Sequence, residues 1–151
     1  MNNYFELLKY LKVCFQNITV LHRHILGKTF YKDHEVLDEY GEFILKMSDD
    51  LIEIGLAIGV TEPTIDESIE TYDTIPTTYV ESSEAFIMVS KYFNSIIELC
   101  ELAKTEVPDD VKNKLEEYEY YLRKEANYKI KNYLGDGYGT QTDNQSRCWL
   151  L

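Results

Sequence analysis

The chain has 151 residues, a net charge of −12 at pH 7 and a sequence pI near 4.6. This length suits one domain with a substantial core, and the acidic surface repels nucleic acid phosphates and anionic membranes. The same negative charge favours the gathering of cations.

The cysteines and the apolar segments indicate a compartment. Cys14, Cys100 and Cys148 are widely separated and odd in number, and they lack zinc-site spacing, which favours free thiols in a reducing environment. No run of 18 apolar residues predicts a membrane span, and residues 1–17 lack the pattern of a secretory signal. We therefore expect a cytoplasmic protein with no membrane partner.

The first predicted helix covers residues 3–26, where apolar residues recur at three- and four-residue steps. His22 lies on the inward stripe of this helix. A single histidine there is more often a hydrogen-bonded core residue than a metal ligand, so residues further along the chain must decide. His24 lies about 200° around the helix from His22 and is predicted to face elsewhere. Gly27 follows at a position where helices normally stop.

The second predicted helix covers residues 33–58, with Asp33 as its N-cap and Gly59 at its end. At about 100° per residue, four of its side chains fall on one narrow polar stripe. These four residues are His34, Asp38, Asp49 and Glu53.

The spacing along this stripe separates the four residues into two i,i+4 pairs, each able to meet at one metal ion. His34 and Asp49 begin the two pairs and are 15 residues apart, roughly 22 Å along the helix axis. One straight helix cannot place both pairs around one ion. An antiparallel copy related by a two-fold axis can, so the spacing predicts two shared metal sites per dimer.

The order of these residues resembles the ferroxidase pattern of the Dps family, the dodecameric mini-ferritins. His22 is followed after twelve residues by His34, then by Asp38, Asp49 and Glu53 at steps of four, eleven and four. The surrounding segments GKTFYKDHEVLDE and MSDDLIEIGLAIG agree with the family, and a looser match extends to about residue 135.

The resemblance implies a function. These five residues would form an inter-subunit site for two irons, with Asp49 and Glu53 of one subunit binding iron together with His22 of a second. Glu53 would bridge, and His34 and Asp38 would complete a weaker second position. The protein would oxidise Fe²⁺ with hydrogen peroxide or dioxygen, store ferric iron in a dodecameric shell and protect against oxidative damage. Two imidazoles and three carboxylates suit iron chemically.

The remaining elements complete an all-α, ferritin-like four-helix bundle over residues 1–135. A long acidic crossover, 60–83, carries a short helix at 64–72. A third helix covers 83–105, with Cys100 as a packed thiol, and a fourth extends from Pro108 to Gly135. Residues 136–151 are expected to form a flexible tail; its Cys-Trp-Leu-Leu ending formally fits a prenylation box, but no polybasic segment supports lipidation.

Two departures from the family pattern bear on chemistry. Arg23 follows the first histidine where the family commonly has Trp. If that Trp takes up stray oxidising equivalents, tyrosines would have to replace it here, Tyr31 and Tyr40 being nearest in sequence; alternatively, Arg23 pairs with a site carboxylate and weakens metal binding. The lysine-rich tails of DNA-binding relatives are missing, and the low pI disfavours DNA binding. Asp110 is a candidate for the channels through which iron enters, but helix capping explains it equally well.

Other classes of protein make different predictions. Ordinary 24-subunit ferritins and single-chain di-iron enzymes use Glu-x-x-His, and no Glu lies three residues before any histidine here. Two alternatives stay open: a non-enzymatic Dps-like shell with a structural or nucleoid role and a vestigial iron site, and an unrelated helical adaptor. The retention of all five ligands favours the active mini-ferritin.

Overall fold

Helices make up most of residues 2–135, the part of the chain that the computed structural model describes. The elements in order are α1 (Asn2–Arg23), β1 (Ile25–Leu26), α2 (Phe30–Ala57), α3 (Ile65–Thr71), β2 (Val80–Glu81), α4 (Ser82–Ala103), α5 (Asp109–Lys124) and α6 (Lys131–Leu134). A 3₁₀ turn, Lys104–Glu106, precedes α5, and a π-helical turn, Glu125–Ile130, joins α5 to α6. The all-α bundle with a helix-bearing crossover is therefore confirmed, whereas the predicted tail lies outside the described residues.

The core forms where α1 packs against α2 and α4, and α4 packs against α5. Apolar residues at helical spacing turn inward on each of these helices, and the largest fully buried side chains include Tyr4, Tyr92, Phe93, Leu11 and Met47. Gly55 permits a close approach of α1 to α2, because a Cβ there would lie 3.0 Å from Cε1 of Tyr4. The Tyr4 hydroxyl then donates a hydrogen bond of 2.6 Å to the Leu51 carbonyl oxygen.

The predicted end of the first helix was wrong by three residues. The helix stops at Arg23, and Ile25–Leu26 forms a short parallel ladder with Val80–Glu81. Gly27, with φ of +148°, then redirects the chain toward α2. A local helical pattern cannot reveal this ladder, because its partner strand is more than 50 residues away in the chain.

The predicted N-cap of the second helix was also wrong. The helix begins at Phe30, and Asp33 lies in its first turn with only 1% of its surface exposed. The Asp33 carboxylate accepts hydrogen bonds from the hydroxyls of Thr29 (2.6 Å), Ser82 and Tyr133 (2.6 Å). Asp33 therefore joins the beginnings of α2 and α4 to α6 instead of capping backbone amides.

Two of the three cysteines lie in the interior of the bundle. Cys14 and Cys100 are buried, and burial raises the pKa of each thiol, so Cys100 is the packed thiol that its position predicts. Cys148 lies outside the described residues. Within residues 2–135, every helix is too short or too polar to cross a lipid bilayer.

Asp33→Ala should lower the free energy of unfolding by about 2–4 kcal/mol, because three hydroxyls lose a common acceptor, and both this acceptor and Ser82 are buried. Glu35→Ala, at an exposed position two residues away on the same helix, should change it by less than about 0.5 kcal/mol. Urea unfolding of both variants measures the difference. Equal stability of the two variants would contradict the structural role of Asp33.

Candidate metal centre

Three of the five predicted ligands meet where the end of α1 faces the first turns of α2. The Nε2 atom of His22 lies 3.7 Å from Oδ1 of Asp38. The imidazole rings of His22 and His34 are stacked, with centroids 5.0 Å apart and an interplanar angle of 28°. The helix spacing predicted His34 and Asp38 as neighbours, and the tertiary structure adds His22 to them.

Backbone carbonyls fix the orientation of both imidazoles. His22 Nδ1 lies 2.7 Å from the Thr19 carbonyl oxygen, and His34 Nδ1 lies 2.6 Å from the carbonyl oxygen of His22 itself. Because a carbonyl oxygen only accepts hydrogen bonds, each Nδ1 carries the hydrogen. This arrangement leaves Nε2 of each ring as the nitrogen without the hydrogen, which is the atom that many metal-binding histidines use.

An aromatic ring and a shallow concavity complete the surroundings of the histidines. Phe30 stacks on His34 with centroids 5.3 Å apart, so three rings form a continuous stack. His22, Asp38 and Arg23 line a concavity of about 250 Å³. Arg23 is exposed beside the cluster, where its charge would oppose a bound cation unless a carboxylate neutralises it.

Asp49 and Glu53 lie in a different concavity, of about 340 Å³, further along α2. Both side chains are exposed, and Phe43, Lys114 and Tyr118 line the same space. The two carboxylates are one helical turn apart and share a face, as their i,i+4 spacing requires. They are therefore available to a metal ion but have no histidine beside them in the same chain.

Asp50 and Tyr118 belong to this second concavity and were missed in the sequence. The Tyr118 hydroxyl donates a short hydrogen bond to Oδ2 of Asp50, and Lys114 Nζ lies 3.7 Å from the same oxygen. Burial and the Asp50 carboxylate raise the pKa of Tyr118. Asp50 is thus engaged by α5, which leaves Asp49 and Glu53 as the carboxylates facing outward. The position of Asp50 beside Asp49 could have drawn attention to it in the sequence. Its partner Tyr118 is 68 residues away, so the contact itself could not have been predicted.

The structure of one chain therefore holds the predicted ligands in two half-sets: His22, His34 and Asp38 form the first, and Asp49 and Glu53 form the second. No group of three or more His, Cys, Asp or Glu residues within positions 2–135 is arranged to hold a metal ion. A site composed of both half-sets needs a second chain, as the helix arithmetic requires, and stays a prediction.

The other predicted residues lie apart from these half-sets. His24 Nδ1 is 2.8 Å from the Val20 carbonyl oxygen, and its ring contacts Tyr79, so His24 faces elsewhere as predicted. Asp110 is exposed, and its Oδ1 accepts a 3.0 Å hydrogen bond from the Val111 amide. This contact agrees with a local role at the start of α5, and the proposed channel role of Asp110 stays a prediction.

Solved structures similar to this one were identified by their three-dimensional shape. A Dps protein from Bacillus brevis is 19% identical, with a TM-score of 0.79 over 89% of this chain and 93% of that one. CAIP from Helicobacter cinaedi is 18% identical, with a TM-score of 0.77 over 89% and 98%. Dps from Listeria innocua, in a crystal soaked with zinc, is 21% identical, with a TM-score of 0.73 over 88% and 97%.

The chain has the Dps fold. No family sequence model and no curated protein sequence matches it. The match covers nearly the whole length of these Dps structures, and the resemblance that the five-residue pattern predicted is confirmed at the level of the fold.

The orientation of the imidazoles can be measured directly. In their neutral forms, His22 and His34 should both carry the hydrogen on Nδ1, because a carbonyl oxygen accepts from that atom in each ring. Nitrogen-15 chemical shifts of the imidazoles, assigned with His22→Gln and His34→Gln variants, distinguish the two tautomers. A hydrogen on Nε2 of either ring would contradict the assignment of Nε2 as the atom available to a metal ion.

Proposed function

We propose that the chain is a mini-ferritin that oxidises Fe²⁺ at sites shared between two subunits and stores the ferric product inside a shell. The observation that carries the proposal is the orientation of His22 and His34, whose carbonyl-bound Nδ1 atoms leave Nε2 for a metal beside Asp38. Asp49 and Glu53 supply the complementary half-set. The Dps fold supports the same assignment.

The donor set fits Fe²⁺ as the substrate. Two imidazoles and three carboxylates combine borderline and hard ligands, a mixture that suits iron better than calcium or a thiolate zinc site. The carboxylates also offset the charge gained when each Fe²⁺ becomes Fe³⁺. The proposed arrangement joins Asp49 and Glu53 of one subunit with His22 of a second, with Glu53 bridging two irons and His34 and Asp38 completing the second position.

The electron balance defines what the site must do. Two Fe²⁺ ions each lose one electron, and one hydrogen peroxide molecule takes both electrons and two protons to give two water molecules. With dioxygen, four Fe²⁺ ions supply four electrons for complete reduction to water. Holding two irons together therefore matches the two-electron reduction of peroxide, and the resulting Fe³⁺ moves into the interior as ferric oxide.

The assembly follows from the same geometry. Because each chain holds only half of each site, a two-fold dimer is the smallest unit that could contain complete sites, and it would contain two. A dodecamer built from such dimers is the shell that the Dps fold supports. The alternative function is a Dps-like shell with a structural or nucleoid role and a vestigial iron site. Such a shell would assemble but would oxidise iron only at the uncatalysed rate.

Asp49→Ala should reduce rapid Fe²⁺ oxidation to the uncatalysed rate while the assembly persists, because the lost carboxylate is a proposed ligand at an exposed position. Asp66→Ala, an exposed carboxylate in α3, is the matched control and should oxidise iron like the wild type. Ferric absorbance after peroxide addition to anaerobically loaded protein measures the rate, and light scattering measures assembly. Wild-type rates for Asp49→Ala would remove this residue from the site.

A mixing experiment tests whether sites are shared between chains. In a dimer of one His22→Ala chain and one Asp49→Ala chain, one site loses both residues and the other keeps both. Random pairing of equal amounts should restore about a quarter of the wild-type sites, whereas each variant alone should restore none. Coexpressed chains followed by ferric absorbance provide the measurement. No recovery in mixed assemblies would contradict a shared site and favour ligands from a single chain.

A further inference from the structure

A cleft of about 400 Å³ lies between α2, α4 and the π-helical turn, separate from both half-sets of the metal centre. This volume is within the range of small-molecule sites in proteins. Aromatic and aliphatic side chains form most of its walls: Tyr40, Phe86, Tyr121, Tyr133, Val36 and Ile130. None of these residues belongs to the five proposed iron ligands.

Two buried carboxylates lie among these apolar walls. Asp33 is 1% exposed and Glu125 is 6% exposed, which is unusual for acidic residues. The Tyr40 hydroxyl donates a 3.1 Å hydrogen bond to Oε1 of Glu125. The hydrogen bonds from Thr29, Ser82 and Tyr133 occupy Asp33, so Glu125 is the carboxylate with capacity for a further partner.

The π-helical turn gives the cleft its shape. Glu125 begins this turn and Ile130 ends it, and both line the cleft together with Lys129. A π-helical turn is less favourable than continuous α-helix and occurs frequently at functional sites. Here the wider turn brings a buried carboxylate and an apolar side chain to the same space.

The carboxylates of the cleft act on two of its tyrosines. Burial raises the pKa of Tyr121 to about 12, and the carboxylates of Glu125 and Glu39 add to this increase. Burial and the same two carboxylates also raise the pKa of Tyr40. Lys129 lies at the exposed edge, with 55% of its side chain accessible, and its Nζ is 3.0 Å from Oε2 of Glu125. An ammonium group therefore already occupies the place that a ligand would take.

Lys32 is the second exposed lysine of the cleft, and its Nζ lies 5.6 Å from the centroid of the Tyr133 ring. This contact shows that a cation is accepted against an aromatic wall. A metal ion fits less well, because no group of three His, Cys, Asp or Glu residues suited to one exists in the described chain. A ligand that fits this cleft therefore needs an apolar body to contact the walls and a single cationic group to pair with Glu125.

We propose that this cleft binds a small organic cation, an ammonium compound with a compact apolar body. The ammonium group replaces Lys129 on Oε2 of Glu125, while the apolar body packs between the aromatic rings of Tyr40, Phe86 and Tyr121. Because Lys129 is long and mostly exposed, its displacement into solvent costs little. The site is independent of iron oxidation and stands or falls separately from it.

Calorimetric titration of the full-length protein with benzylammonium at pH 7 tests the proposal. Benzylammonium should bind saturably, and the isosteric neutral benzyl alcohol and anionic benzoate should bind at least about tenfold more weakly. Equal binding of the three compounds would overturn the requirement for a cation. The absence of saturable benzylammonium binding would overturn the site itself.

Substitutions at Glu125 and Lys129 should act in opposite directions. Glu125→Gln keeps the shape and can still accept from Tyr40, yet it should weaken benzylammonium binding about tenfold or more. Lys129→Gln removes the internal competitor and should strengthen binding several-fold. Glu70→Gln, at an exposed position in α3, is the control and should bind as the wild type does.

A variant that fills the cleft separates shape from charge. Val36→Phe adds volume at a half-buried position on the wall and should abolish binding without changing any charge. Thermal unfolding of each variant identifies any that fail to fold. Lys129→Gln changes an exposed residue and should fold normally, so its binding result tests the proposal even if Val36→Phe does not fold. Unchanged affinity in both Glu125→Gln and Lys129→Gln would overturn the assignment of Glu125 as the cation's partner.

Discussion

The buried Asp33 carboxylate is the contact on which the arrangement of the helices around the candidate metal centre depends. It accepts hydroxyl hydrogen bonds from the residue before α2, the first residue of α4 and α6 at the far end of the chain. A buried charge is stable only when its acceptor positions are used, so these three elements must converge. His34 is the next residue on α2, and its ring reaches back to α1. The network therefore fixes the helix turn that carries the first half-set.

Four of the five proposed ligands lie on one helix, α2, which also sets the separation between their two pairs. Residues 30–57 form a single helix with no interruption, so Asp38 and Asp49 cannot converge within a chain. In the proposed site, association with a second copy would be a condition for a complete ligand set. Activity would then depend on assembly, because the free energy of dimerisation would also create the metal site.

The acidic character of the chain has different consequences in different places. At the half-sets, exposed carboxylates can attract cations from solution. In the cleft beside the π-helical turn, Asp33 and Glu125 are buried among aromatic and aliphatic side chains. Glu125 there is paired with an exposed lysine that a ligand can displace, whereas Asp33 is fully engaged by hydroxyls. Burial and available partners, more than the number of acids, decide which carboxylates can bind something.

The sequence by itself determined the features that depend on neighbours along the chain. The spacing of His34, Asp38, Asp49 and Glu53 placed them on one face because helix geometry is local, and the five-residue pattern led to the Dps fold. Only the tertiary structure decided that His22 stacks on His34, that Asp33 is a buried acceptor rather than a cap, and that a cleft opens beside Glu125. These features join residues from 12 to 100 positions apart, and side-chain hydroxyls and carboxylates at such distances leave no periodic signal in the sequence.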